Sequence, residues 1–160
     1  MGKVYVRIDD RLIHGQIMTA WCNFLEISEI IGIDDKTASN PLLKQIMTMS
    51  VPAKYNCKML TTDAAKEELK KAFSGNRLVI LRFPESLALI KEEINTAEII
   101  VLGNISKKPD SIYNESSGTS MFFLTEKDVQ VVDDLAASGM KIVFQALPTS
   151  MEKTWASFKH

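Results

Sequence analysis

Cysteine is scarce in this sequence. Only Cys22 and Cys57 occur, in different apolar segments and without the C-x-x-C spacing of many redox and zinc sites. We therefore expect both thiols to be reduced residues of the core, in a protein of the cytoplasm. Positive charge is not in excess either, because 19 Lys and Arg residues face 20 Asp and Glu residues and leave a net charge of −1. Without a basic surplus the chain cannot neutralise a run of phosphates, which argues against nucleic-acid binding.

Long apolar runs are also missing. No stretch approaches the roughly 18 unbroken apolar residues of a transmembrane helix, and strand-like sequence follows directly after Met1-Gly2-Lys3. We therefore expect neither a membrane span nor a signal peptide. The sequence has no internal repeat, no low-complexity tract and no linker, so residues 1–160 are expected to form a single domain.

Short β-branched runs alternate with segments of helical spacing along most of the chain. This alternation predicts right-handed βαβ units and hence an α/β fold. We expect an open, twisted, mostly parallel sheet of about seven strands with helices on both faces. The predicted strands are Val4–Asp9, Glu29–Ile33, Cys57–Thr61, Leu78–Arg82, Glu98–Leu102, Met121–Leu124 and Lys141–Ala146.

Four segments carry helix signals. Residues 15–25 repeat apolar side chains at helical spacing. Pro41 and Pro84 are typical of the first helical position, where the missing N–H is not needed, and the second of these helices is expected to end near residue 94. Thr125 and Asp128 predict a capping box at the start of a fourth helix.

Residues 103–120 are rich in small and polar side chains and lack helical spacing. So long a connection is usually functional or mobile. It would leave the strand at 121–124 free to run antiparallel at the edge of the sheet. Near the end of the chain, Trp155 and Phe158 are expected to dock on the body of the protein.

The first predicted strand leads into the most polar loop of the sequence, Arg7-Ile8-Asp9-Asp10-Arg11-Leu12-Ile13-His14-Gly15-Gln16. In open α/β sheets, ligands bind at the carboxyl ends of the strands, where such loops lie. An imidazole is largely unprotonated near neutral pH and can attack a phosphoryl group. A carboxylate on its other nitrogen would orient the ring, while arginine and backbone N–H groups would neutralise phosphoryl oxygens. Glycine beside it would let the backbone approach the phosphate.

These residues leave other interpretations open. A histidine in a polar loop is as often a solvated or structural residue. A metal site built from Asp9, Asp10 and His14 is a weaker hypothesis, because no second histidine lies nearby to complete it.

The stretch from Val6 to Ile17, VRIDDRLIHGQI, strongly resembles the N-terminal signature of one protein family. That family is the IIB component of the mannose–fructose–sorbose class of the bacterial phosphoenolpyruvate-dependent sugar phosphotransferase system (PTS). Stretches at 33–38, 99–104 and 123–128 resemble further parts of the family sequence, so the resemblance covers most of the chain. It implies an open, twisted, mostly parallel α/β sheet.

The resemblance also implies a reaction, in which the protein is a protein-N(pi)-phosphohistidine–sugar phosphotransferase. His14 would take a phosphoryl group on Nδ1 from a IIA phosphohistidine and pass it to a sugar entering through the membrane components IIC and IID. Arg11 would bind the phosphoryl group, Asp10 matches the carboxylate beside it, and Gly15 would allow the close approach. The resemblance implies no cofactor and no metal, and a cytoplasmic protein that associates peripherally with the membrane transporter.

Two other classes of function remain for a chain of this type, a regulatory or sugar-sensing binding module and a stand-alone phosphatase or mutase. The sequence departs from many relatives at Gly103-Asn104, where they have two glycines, and at Arg82-Phe83. Both departures concern the sugar or the partner rather than the phosphorylation motif. We expect loop 103–120, Asp34 and Arg82-Phe83 to frame the surface that receives the IIA component.

Overall fold

The computed structural model describes residues 2–160. The strands of its main sheet are β1 Val4–Asp9, β2 Ile27–Ile33, β3 Asn56–Leu60, β4 Asn76–Leu81, β5 Ile99–Asn104, β8 Ile142–Phe144 and β9 Lys153–Thr154. They lie in the order β3-β2-β4-β1-β5-β8-β9. The first six strands in this order are parallel, and β9 pairs antiparallel with β8 at the edge. The sheet is thus the open, mostly parallel one that the sequence predicts.

One predicted strand lies outside this sheet. Residues 120–124 form β7, which pairs antiparallel with β6 at Tyr113–Ser117 in a separate two-stranded sheet. Gly118, with a φ of 62°, allows the tight turn between the two strands. Pairing within this short hairpin therefore replaces the predicted pairing at the edge of the main sheet, where β9 takes the antiparallel place. Residues 113–117 and 120 of the predicted loop 103–120 are consequently strand.

Three of the four predicted helices are present as predicted, and two further helices, at Asp35–Ala38 and Thr62–Leu69, were not predicted. They are α1 at 15–24, in which Ile17–Trp21 is π-helical and Cys22–Phe24 is α-helical, then α2 Asp35–Ala38, α3 Pro41–Met49, α4 Thr62–Leu69 and α5 Glu126–Ala137. Asn40 caps α3, and the capping box of Thr125 and Asp128 begins α5 as predicted. The helix predicted to run from Pro84 to residue 94 is a 3₁₀ helix that ends at Leu89. No helix within residues 2–160 is long and apolar enough to cross a bilayer.

Alternate residues of each central strand face opposite sides of the sheet, and each side has its own core. One core packs α4, the 3₁₀ helix and α5 against the sheet through Val6, Ile8, Val79, Leu81, Ile100, Leu102 and their neighbours. The other packs α1 against the opposite face through Ile17, Trp21, Leu78, Ile80, Val101 and Val143. Burial on both faces is what the unbroken apolar runs predict. Because these strands are parallel, the loops after β1, β2, β4, β5 and β8 all lie at the carboxyl ends of the strands.

Cys22 and Cys57 are free thiols, and Trp155 and Phe158 are buried, as expected. Burial raises the pKa of the Cys22 thiol to about 12 and that of Cys57 to about 11. Both thiols therefore stay protonated at neutral pH and are poor nucleophiles.

Candidate functional site

The loop after β1 turns back sharply to meet the start of α1. Its Leu12 has a φ of 58°, a left-handed conformation that is rare for a leucine, and its side chain is fully buried. The Leu12 N–H donates to the Asp9 carbonyl at 2.9 Å, and the His14 carbonyl accepts from the Met18 N–H at 3.2 Å. His14 therefore lies where the strand ends and the helix begins. The unpaired N–H groups of the first helical turn follow it directly.

Asp9 holds the His14 ring. Its Oδ2 lies 2.8 Å from His14 Nε2, and Asp9 is fully buried whereas 18% of the His14 side chain is exposed. In the neutral ring, Nε2–H donates to the carboxylate and the lone pair is on Nδ1. The arrangement thus selects one tautomer.

Arg11 binds the same carboxylate with two nitrogens. Its Nε lies 3.0 Å from Asp9 Oδ1 and its Nη2 lies 3.1 Å from Oδ2, while its backbone N–H donates to Oδ1. Nη2 also donates to Gln16 Oε1 at 3.2 Å. The Arg11 side chain is 45% exposed, so a guanidinium group faces solvent close to the histidine.

A second arginine lies beneath the carboxylate. Arg7 is 1% exposed, and its Nη1 and Nη2 donate to the carbonyls of Gln145 at 3.1 Å and Ala146 at 3.0 Å. Its Nη2 is 3.5 Å from Asp9 Oδ2. Burial lowers the pKa of Arg7 to about 10, so it remains charged at neutral pH.

The charge on Asp9 is well compensated. Burial raises the pKa of its carboxyl, but the hydrogen bonds from His14 and Arg11 and the charge of Arg7 outweigh burial and lower this pKa to about 2. Asp9 is therefore a carboxylate at neutral pH.

Asp10 does not contact the histidine, although the family resemblance matched it to the carboxylate beside the phosphoryl group. Its side chain accepts hydrogen bonds from Asn104 Nδ2 and from the Ser106 N–H, the latter at 2.9 Å. Side chains alternate along β1, so Asp9 shares the face of Arg7 and Asp10 points to the end of β5. The carboxylate in contact with the His14 ring is therefore that of Asp9, whereas Asp10 binds the end of β5 and the residues after it.

The glycines near the site have different roles. A Cβ on Gly103 would lie 2.0 Å from Arg7 Cζ, so β5 admits the buried guanidinium only because residue 103 is glycine. Asn104, at the departure from the two-glycine pattern, supplies the amide that binds Asp10. A Cβ on Gly15 would meet nothing within 4 Å, so the space beside it is open.

Sequence reasoning missed the layer behind Asp9. The indole N–H of Trp21 donates to the Ala146 carbonyl at 2.9 Å, and Arg7 Cζ lies 4.8 Å from the centre of the Trp21 ring. Strand alternation would have placed Arg7 and Asp9 on one face. The sequence gives no comparable signal for Ala146, which reaches the site through the order of the strands.

The predicted rim residues meet one another in two pairs. Arg82 Nε lies 3.7 Å from Asp34 Oδ1, and Lys108 Nζ lies 4.3 Å from the centre of the Phe83 ring. No group of three His, Cys, Asp or Glu residues within 2–160 is arranged to hold a metal ion.

The site thus consists of a histidine held by a buried carboxylate, beside a half-exposed arginine at the carboxyl ends of parallel strands. Residues 3–159 match the family described as "PTS system sorbose subfamily IIB component", and the chain belongs to this family. Family membership supports a phosphotransfer role in sugar uptake.

Curated relatives agree with the family assignment. The chain is 25% identical over 155 residues to the fructose-specific EIIB component of Bacillus subtilis, across 93% of this chain and 90% of that protein. It is 26% identical over 148 residues to the mannose-specific EIIAB component of Escherichia coli K12. That match spans 89% of this chain but only 44% of the longer relative.

Solved structures share the fold. The structure of manxB from Thermoanaerobacter tengcongensis has a TM-score of 0.81 at 26% identity, covering 98% of this chain and 95% of that one. The IIBSor domain of the sorbose permease from Klebsiella pneumoniae has a TM-score of 0.80 at 18% identity, covering 95% and 92%. The second likeness concerns the fold alone.

Proposed function

We propose that this protein is a phosphoryl carrier that acts through His14. Its Nδ1 accepts a phosphoryl group from the phosphohistidine of a IIA component and passes it to a sugar that enters through membrane components IIC and IID. The observation that carries the proposal is the 2.8 Å contact between Asp9 Oδ2 and His14 Nε2, because it leaves the lone pair on Nδ1. Residues 1–160 would act as one domain, on the cytoplasmic side of the membrane.

The residues around His14 fit the needs of such a transfer. The Nδ1 lone pair forms the new N–P bond as the N–P bond of the donor breaks, and the donor imidazole leaves. Positive charge then develops on the His14 ring, where the Asp9 carboxylate stabilises it through Nε2–H. Once it turns away from Asp9, the half-exposed Arg11 guanidinium can bind two phosphoryl oxygens at once. Gly15 and the first turn of α1 leave the phosphoryl group room and free N–H groups.

The partner must approach a small exposed part of the histidine. We infer that the donor contacts the rim made by Asp34 with Arg82 and by Phe83 with Lys108, which the two contacts above hold together. A polar rim of this kind suits the brief encounters of a phosphorelay. Relatives are named for fructose, mannose and sorbose, so the phosphorylation chemistry does not identify the sugar.

The test is phosphoryl labelling from a phosphorylated IIA component. Wild type should give an acid-labile adduct, and His14→Ala should give none. His160→Ala is the matched control, because His160 is the other histidine of the chain and contacts Asp133 instead. Undiminished labelling of His14→Ala would contradict the proposal. Membrane vesicles with IIC and IID should discharge the adduct when sugar is added, whereas a regulatory module would keep its label.

A further inference from the structure

Arg7 is a buried charge for which the proposed reaction has no direct use. We propose that Arg7 is a positioning residue: it fixes the Asp9 carboxylate, and through Asp9 the His14 ring, to the chain segment that follows β8. The inference rests on the proposed function, because it concerns the geometry from which His14 would accept the phosphoryl group. Arg7 itself does not touch the reacting atoms.

The contacts of Arg7 fix the plane of its guanidinium group. Two of its nitrogens donate to the carbonyls of Gln145 and Ala146, at 3.1 and 3.0 Å, and these carbonyls belong to a segment far away in the chain. Trp21 covers one face of the group and also donates to the Ala146 carbonyl. With its orientation set in this way, the guanidinium presents Nη2 to Asp9 Oδ2 at 3.5 Å.

Burying this arginine is costly, and the fold makes room for it. Its Nε has no hydrogen-bond partner among the described residues, and β5 has glycine at residue 103, where any Cβ would collide with the guanidinium. A hydrophobic residue at position 7 would avoid both constraints. The feature that an apolar residue could not supply is the positive charge next to a fully buried carboxylate.

Arg11 and Arg7 both contact Asp9, but they differ in how far they can move. Arg11 is 45% exposed and can turn towards phosphoryl oxygens, whereas Arg7 is locked between two carbonyls and Trp21. When Arg11 leaves Asp9 for the phosphoryl group, Arg7 is the cation that remains. Asp9 therefore keeps its charge and position while the histidine reacts.

The fold contains a second buried arginine that serves as a matched control. Arg77 is 2% exposed and lies at the start of β4, at the amino ends of the parallel strands. Its Nε donates to Glu29 Oε2 at 2.8 Å. Arg77→Lys and Arg7→Lys make the same chemical change in a buried arginine. Of these two arginines, only Arg7 lies next to Asp9 and the candidate site.

The experiment measures which ring nitrogen of His14 carries the proton, by long-range ¹H–¹⁵N spectra, together with the single-turnover rate of transfer from phosphorylated IIA. In wild type and Arg77→Lys we expect the Nε2–H form. In Arg7→Lys the single ammonium group cannot hold two carbonyls and Asp9 together, so a mixture of Nε2–H and Nδ1–H forms is expected. Transfer should slow by roughly tenfold or more, the size of effect seen when residues that orient metal-bound histidines are lost. Arg7→Met should show larger changes in the same direction.

Folding defects are separated from positioning by these readouts. If Arg7→Met does not fold, Arg7→Lys decides, because it keeps the charge and most of the volume. A folded Arg7→Lys with the wild-type tautomer and a transfer rate within about twofold of wild type would overturn the inference. If wild type accepts no label at all, the proposed function fails, while the ring-nitrogen measurement still tests the positioning by Arg7.

Discussion

At the scale of single residues, the candidate site depends on how one carboxylate is shared. Asp9 accepts hydrogen bonds from the His14 ring and from both the side chain and the backbone of Arg11. The pairing of Arg11 with a fully buried carboxylate differs from a surface ion pair, which is worth less than about 1 kcal/mol. The ion pair with Asp9 fixes the position of the Arg11 guanidinium in the absence of a ligand. Because the Arg11 side chain is 45% exposed, the guanidinium can also reach a ligand.

Substitution of Arg11 separates charge from geometry. Arg11→Ala should slow single-turnover transfer from phosphorylated IIA by roughly a hundredfold or more, because one charge-assisted contact in a transition state contributes about 2–4 kcal/mol. Arg11→Lys should slow it less, since lysine keeps the charge but loses the two-point geometry. Transfer by Arg11→Ala within about threefold of wild type would mean that Arg11 serves only to pair with Asp9.

The sequence predicted His14, Arg11, Asp10 and Gly15 as site residues, and in the structure the carboxylate that contacts the His14 ring is that of Asp9. Adjacent residues of a strand point to opposite faces, so the prediction of β1 was enough to predict that Arg7 and Asp9 share one face. The contact of Arg7 with the carbonyls of Gln145 and Ala146 could not be predicted from the sequence. Their contact with Arg7 spans 138 and 139 positions and depends on β8 lying next to β5.

At the scale of elements, the six parallel strands were predictable because each is a short run rich in apolar residues. The antiparallel partners were not. β9 has only two residues and no strand-like pattern in its sequence. It lies alongside β8 because Trp155 and Phe158, which follow it, are buried against the body of the protein. β7 was predicted as a strand at Met121–Leu124, but its partner β6 was not, because Tyr113–Ser117 has too few apolar residues to indicate a strand.

Helix α3 differs from α1 in how little it is packed. None of its residues is buried, and Leu42, Ile46 and Met49 are 65%, 58% and 73% exposed. By contrast, Ile17 in α1 is fully buried. The two helices therefore contribute very differently to the stability of the described chain.

Two isoleucine substitutions measure this difference. Ile17→Ala should lower the free energy of unfolding by about 2–5 kcal/mol, because it opens a cavity in the core. Ile46→Ala should change it by about 0.5 kcal/mol or less, since its side chain is mostly in water in both states. Urea unfolding of the two variants and wild type gives both values. A loss of several kcal/mol in Ile46→Ala would show that α3 is packed more tightly than described.

At the scale of the whole molecule, the candidate site joins the two halves of the sheet. Asp9 at the end of β1 connects through Arg7 to the segment after β8, and Asp10 connects to the end of β5. The same side chains that orient the histidine therefore also hold strands together. The stability of the fold should respond to the ionisation of Asp9.

Stability should depend on pH through this carboxylate. The folded-state pKa of Asp9, about 2, lies below its ordinary value of 3.8, so the ionised group stabilises the fold above about pH 4 and stops doing so as the pH falls through about 2. This difference corresponds to on the order of 2 kcal/mol. Thermal unfolding from pH 7 to pH 2 should therefore show a steeper loss for wild type than for Asp9→Asn. Parallel curves for the two proteins would contradict the low folded-state pKa.

The indole of Trp21 lies against Arg7 and donates to the Ala146 carbonyl, immediately behind the candidate site. The only other tryptophan, Trp155, is in the aromatic cluster with Phe144 and Phe158 on the other face of the sheet. Indole emission depends on nearby charge, so Trp21 should respond to a change of charge around Arg7 and Asp9. In a Trp155→Phe background, fluorescence would follow the arrival and departure of a doubly charged group in real time, without any added dye.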